Sequence, residues 1–139
     1  MTDNVFDKAA EVLEKDGWCK GDLHRQEVLH YYDTETGQVT EQQVITRHCA
    51  LGAIDVAVLG PQEINLHSTL SEVPTGSRDA RVQAMKYLTQ YLEEHFLPAD
   101  PYAIDGMSSI PQWNDAKGRT AQEVIDFLRW CGKQETDKQ

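Results

Sequence analysis

The chain has 139 residues, long enough for one domain that buries a core of its own. Hydrophobic residues make up 40% and charged residues 26%, an ordinary balance for a soluble globular protein. With 23 Asp and Glu against 13 Lys and Arg, the net charge of −10 repels phosphate backbones and argues against nucleic acid as a partner.

Val5, Phe6, Ala9, Val12 and Leu13 recur at helical spacing, with Asp3 or Asn4 as the cap and Gly17 as the stop, which predicts a helix over 4–15. Gly17-Trp18-Cys19 then reads as a helix end followed by two core residues, and Gly21 permits another sharp bend. Residues 25–48 change period. Val28, His30 and Tyr32 alternate with Glu27, Leu29 and Tyr31, Thr34-Glu35-Thr36-Gly37 forms a turn, and Val39-Thr40 and Val44-Ile45-Thr46 resume β-prone composition. This predicts a β-hairpin, with Glu41-Gln42-Gln43 marking a bulge or break in the second arm. A lone hairpin is marginal in water, so it lies on the helices or pairs with another chain.

Ala50, Leu51, Ala53, Ile54, Ala57 and Val58 cover much of a helix surface, as in a helix packed on more than one side, and Gly60-Pro61 ends it. Residues 61–76 show no period and are expected to form a connecting loop, with a short turn around Ile64–Leu70. Ser77 is placed to cap the longest helix, whose Ala84, Met85, Leu88, Tyr91, Leu92 and Phe96 run up to Pro98. Arg78, Arg81 and Lys86 are the nearest approach to a basic patch, and their spacing is that of a helix's solvated face. Residues 98–108 form a second loop, after which Ser108 or Ser109 caps a single turn through Ile110–Trp113.

The stretch Trp113–Thr120 and the helix behind it organise the rest. Asn114-Asp115 and Lys117-Gly118 are turn chemistry. Thr120 and Glu123 have the spacing of a capping box at the start of a helix over about 120–131, which carries Val124, Ile125, Phe127, Leu128 and Cys131. The tail from Lys133 is polar and expected to fray.

Cys19, Cys49 and Cys131 are an odd, scattered set, neither a disulfide framework nor a zinc spacing. Together with an N-terminus that has no basic region or apolar run, they point to a soluble protein of the cytoplasm. The histidines at 24, 30, 48, 67 and 95 form no metal-binding spacing, and no phosphate-cradling glycine loop is present, so neither metal nor cofactor is expected. A thiol nucleophile could assemble from Cys19 or Cys49 with His48, His67 and Asp115, and the dipole of the helix starting at Cys49 would lower that thiol's pKa. The apolar run Cys49–Ala53 fits a buried core cysteine better.

Gly17-Trp18-Cys19, Cys49-Ala50-Leu51-Gly52-Ala53, and Trp113-Asn114-Asp115 with Gly118-Arg119-Thr120 and Glu123-Val124 form a combination of motifs. In these the chain resembles a family of small uncharacterised proteins of actinobacteria and their bacteriophages. The resemblance implies no reaction, cofactor or catalytic residue. Trp18, Cys19, Cys49, Gly52, Trp113, Asn114, Asp115, Arg119, Thr120 and Glu123 are fold determinants under it, and the long segment 23–47 departs from its pattern.

The fold expected is a single, mainly helical α+β domain over 1–132, with about four helices and one hairpin, followed by a polar tail. The function expected is that of a small acidic binding protein, phage-encoded and acting on a host protein, with Tyr31 and Tyr32 of the hairpin as contact residues. The hairpin could also join two copies of the chain. A cysteine-dependent enzyme is one alternative. A DNA-mimicking inhibitor is another, disfavoured because Glu11, Glu14, Glu93, Glu94, Asp100 and Asp105 are dispersed rather than set in rows.

Overall fold

Asn4 opens the first helix by accepting the Phe6 and Asp7 amides at its side-chain oxygen, while its Nδ2 donates to the Gly132 carbonyl at 2.8 Å. One residue thus caps α1 (Val5–Asp16) and fastens it to the last helix of the chain. In this computed structural model, residues 4–61, 73–74, 76–95 and 109–138 are described. The order of elements is α1, β1 (His24–Tyr32), β2 (Val39–His48), α2 (Ala50–Leu59), α3 (Arg78–His95), α4 (Ile110–Asn114) and α5 (Ala121–Asp137). The architecture is mainly helical α+β with one two-stranded antiparallel sheet.

The described residues hold five helices rather than about four, because the turn expected at Ile110–Trp113 is a short helix capped by Ser109. The last helix passes its expected end at 131 and reaches Asp137. What extends it is a contact outside its own sequence, the Tyr87 hydroxyl donating to Glu135 at 2.7 Å. Phe96, Pro98, the turn expected at 64–70 and the loop 98–108 lie outside the described residues.

The core is shared by all five helices: α1 packs on both α2 and α5, and α3 and α4 cover α2 from other sides. Helix α2 is buried from Ala50 to Val56, as its all-round apolar sequence requires. The aromatic rings interlock edge to face at its side. Phe6 meets Tyr87 with centroids 5.7 Å apart, Tyr91 meets Phe127 at 5.2 Å, and Trp113 packs on Phe127 at 4.9 Å. Gly52 is a steric requirement, since a Cβ there would run into the Leu23 carbonyl oxygen where the chain enters β1.

The hairpin turns at Asp33–Gly37, where the Gly37 amide donates to Asp33 at 2.8 Å and Gly37 takes φ 73°. Its register pairs His24 with His48, Val28 with Val44 and Tyr31 with Glu41, then steps so that Tyr32 meets Val39. The bulge therefore falls at Thr40, beside the Glu41-Gln42-Gln43 stretch, and the Thr40 hydroxyl donates to the Tyr31 carbonyl at 3.1 Å. Only the base of this ribbon is buried: exposure rises from His24 and His48 outward to the turn.

Candidate functional site

Asn114 ends α4 inside the protein, fully buried, and uses its whole amide. Its Oδ1 accepts from the Trp18 indole at 2.7 Å and the Ala50 amide at 3.0 Å. Its Nδ2 donates to the Cys19 carbonyl at 3.1 Å and to Asp115 Oδ1 at 2.9 Å. Asp115 Oδ1 also accepts the Gly21 amide at 3.0 Å. The motifs around Trp18, Cys49 and Asn114 therefore meet in one polar knot that joins three separated stretches of chain. Arg119 closes the turn, its Nε donating to the Trp113 carbonyl at 3.0 Å while its guanidinium stacks 4.3 Å from the Trp113 ring. Thr120 and Glu123 form the capping box reciprocally, at 2.9 and 3.2 Å.

A second buried polar chain runs through the base of the ribbon. Asp16 Oδ2 lies 2.9 Å from His48 Nε2, and His48 Nδ1 lies 2.8 Å from His24 Nδ1. The carboxylate only accepts, so His48 donates from Nε2, and across the Nδ1–Nδ1 contact one ring donates while the other accepts. Burial first, then repulsion from His48, pushes the His24 pKa down to about 4, with Asp55 opposing and Arg81 reinforcing the shift. Asp55, wholly buried on α2, holds Arg81 of α3 through Oδ1 to Nε at 3.0 Å and Oδ2 to Nη2 at 2.5 Å. The expectation that Arg81 sits on a solvated face is thus corrected: it is 8% exposed and tied into the core. Helical spacing cannot reveal a partner on another helix.

The cysteines are buried and carry no catalytic arrangement among the described residues. Cys49 does begin a helix, and its Sγ accepts the Gly52 amide at 3.4 Å as the cap. The expected lowering of its pKa is overturned, because desolvation outweighs the helix end and pushes the thiol up to about 12. Cys19 is pushed up to about 11 by burial, and Cys131 also upward. Both imidazole nitrogens that His48 offers are taken by Asp16 and His24, not by a thiol. His67, the other histidine considered as a base, lies outside the described residues. Among the described residues no three or more His, Cys, Asp or Glu side chains converge as metal ligands would.

Beyond its base the ribbon divides by face. Strand geometry sends Tyr31 and Tyr32 to opposite sides, so the two contact residues expected from sequence do not form one patch. Tyr31 shares its face with Glu41 and donates to Gln43 at 3.1 Å, and lower on that face Arg47 lies 3.2 Å from Glu27. On the other face lie Gln26, Val28, His30 and Tyr32 of β1 with Val39, Gln42, Val44 and Thr46 of β2, without a carboxylate, ammonium or guanidinium. Val28, Tyr32, Val39 and Val44 there are 48–60% exposed. Val28 and Val44 escape sequence reading as surface residues because they sit where a buried strand face would be. A groove of about 460 Å³, lined by Glu14–Gly17 of the α1 end and Gln43–Arg47 of β2, runs beside the ribbon's base.

Fold and site together define a small helical body, knotted by one buried asparagine, that holds out a two-stranded ribbon. The chain belongs to a family of unknown function (DUF6197), whose sequence model matches residues 1–134. That range includes the ribbon, which the motif resemblance leaves outside its pattern. No curated protein and no solved structure matches the chain. No helix among the described residues is long and apolar enough to cross a membrane.

Proposed function

We propose that this is a small acidic binding protein, acting on another protein through the uncharged face of its ribbon. The observation that carries the reading is four large apolar side chains, half exposed, on a face without charge in a molecule of net charge −10. Exposed apolar area grouped on one face marks contact sites, and Tyr32 supplies an aromatic anchor of the kind that dominates such contacts. The motif resemblance to actinobacterial and phage proteins makes a host protein of the bacterial cytoplasm the partner proposed. A thiol enzyme is the weaker reading, since burial keeps Cys19 and Cys49 protonated at neutral pH and a nucleophile must be a thiolate.

Comparative co-purification from host cells tests this. The wild type, a Val28→Lys/Val44→Lys variant and a Glu27→Gln variant on the opposite face are carried through in parallel. A protein retained by wild type and Glu27→Gln but lost with the double variant supports the reading. Equal recovery of every retained protein by all three contradicts it.

A further inference from the structure

We infer that the outer edge of β1 is a pairing site for a second copy of this chain, giving a four-stranded sheet across a two-fold axis at Leu29. This goes beyond the binding reading above and does not depend on it.

The hydrogen bonds at the ribbon's base establish which main-chain groups face outward. The Cys49 amide donates to the Leu23 carbonyl, whereas the His48 amide donates to Gly17 and the His48 carbonyl accepts from Cys19, all at 3.0 Å. His48 and its partner His24 are therefore a non-hydrogen-bonded pair of the β1–β2 ladder. By antiparallel alternation the main-chain groups of Gln26, Val28 and His30 point away from β2.

The two edges of the ribbon differ. That of β2 is occupied at its base by Gly17–Cys19, is overhung by the end of α1, and is broken near the turn by the Thr40 bulge beside Glu41. Bulges, charges and covering segments are how sheets close an edge to other chains. The β1 edge has none of these over Val28–Tyr32: no proline, no glycine, no charge, no bulge in its own strand, and no covering segment among the described residues.

Charge selects the occupant and the register. A two-fold axis at Leu29 sets Val28 against His30 of the second copy, Gln26 against Tyr32 and Glu27 against Tyr31. Arg25, which already holds Asp22 at 3.1 Å, then faces Asp33, setting a guanidinium between two carboxylates at each end of the seam. Moving the axis to His30 would oppose Glu27 and Asp33, so repulsion disfavours that register. The acidic bodies lie at opposite ends of the joint sheet, with the two His24 positions roughly 34 Å apart at strand rise, several times the Debye length of about 8 Å. The isologous contact uses up both β1 edges, so assembly closes at the dimer. It also lays the two uncharged ribbon faces side by side.

Analytical ultracentrifugation of the purified full chain tests the inference. An interface this small belongs to the weak class, so a monomer–dimer equilibrium is expected on the order of 100 μM. His30→Pro removes an amide that points away from β2, a position where an edge strand tolerates proline, and is expected to stay monomeric with its melting transition unchanged. In a second variant, Leu29→Cys, the new thiols meet across the axis at a spacing a disulfide can bridge. With oxidised glutathione as oxidant, two protein thiols become one disulfide and the glutathione is reduced to two thiols. This variant is expected to cross-link at least tenfold faster than Val28→Cys. A wild type that stays monomeric well above that concentration, a dimer that persists in His30→Pro, or equal cross-linking of the two cysteine variants would each overturn the proposal. A wild type that never self-associates but still captures its partner would sink the dimer alone and leave the binding reading standing.

Discussion

Arg81 reaches Asp55 with both Nε and Nη2, and neither charge has access to water enough to survive alone. Arg81→Ala would strand a wholly buried carboxylate and is expected to cost about 3–5 kcal/mol in urea unfolding. Asp55→Leu combined with Arg81→Met should recover most of that loss, because the pair's desolvation cost disappears with it. His24 gives a second test at this scale. The fold holds it neutral down to about 4, while an unfolded histidine takes its proton near 6.5. Between those values the unfolded chain binds the extra proton, so stability falls as pH drops below 6.5. By pH 5 the loss expected from this residue is roughly 2 kcal/mol, and a His24→Gln variant should show a flatter profile over pH 7 to 5.

Among the elements, α5 and the knot that precedes it make a ranking that can be measured. Thr120→Ala removes one cap bond at a solvent-exposed helix start and is expected to cost about 1 kcal/mol. Asn114→Ala leaves the Trp18 indole, the Ala50 amide and the Cys19 carbonyl unpaired, and with each unpaired buried group worth about 1–3 kcal/mol it should cost at least about 3. Chemical denaturation of the two variants checks the order. The difference also explains what was legible in the sequence. Caps, periods and turns act within a few residues, so α1, α2, the hairpin with its turn, and the Thr120–Glu123 box could be read directly. Asn114 showed only its turn chemistry, since its partners lie 64 to 96 residues away. The Asp55–Arg81 pair was hidden for the same reason, with Arg81 passing for a surface residue on a polar helix. The His24–His48 contact left a trace, two histidines nearly equidistant from the turn, but it becomes a contact only once the register is known. The cysteine at 49 was legible as a helix start and misleading as a thiol, because burial is a property of the whole packing and it outweighed the local dipole.

At the scale of the whole molecule, the helical body and the ribbon have different reasons to exist. The body closes its own core around α2, and its aromatic rings and polar knot draw on every helix but nothing of the ribbon beyond the base pair His24–His48. A two-stranded ribbon in water adds little stability of its own, so under the proposed function its length beyond that base serves contact with another chain. The ribbon is therefore expected to be carried by the body without being part of what holds the body together. Thermal unfolding of a chain in which residues 28–44 are replaced by a tight Asn-Gly turn joining the hydrogen-bonded pair Glu27 and Ile45 tests it most directly. The expected result is one cooperative transition within a few degrees of the full-length midpoint. A truncated chain that shows no cooperative transition would place the ribbon in the folding core and contradict the claim.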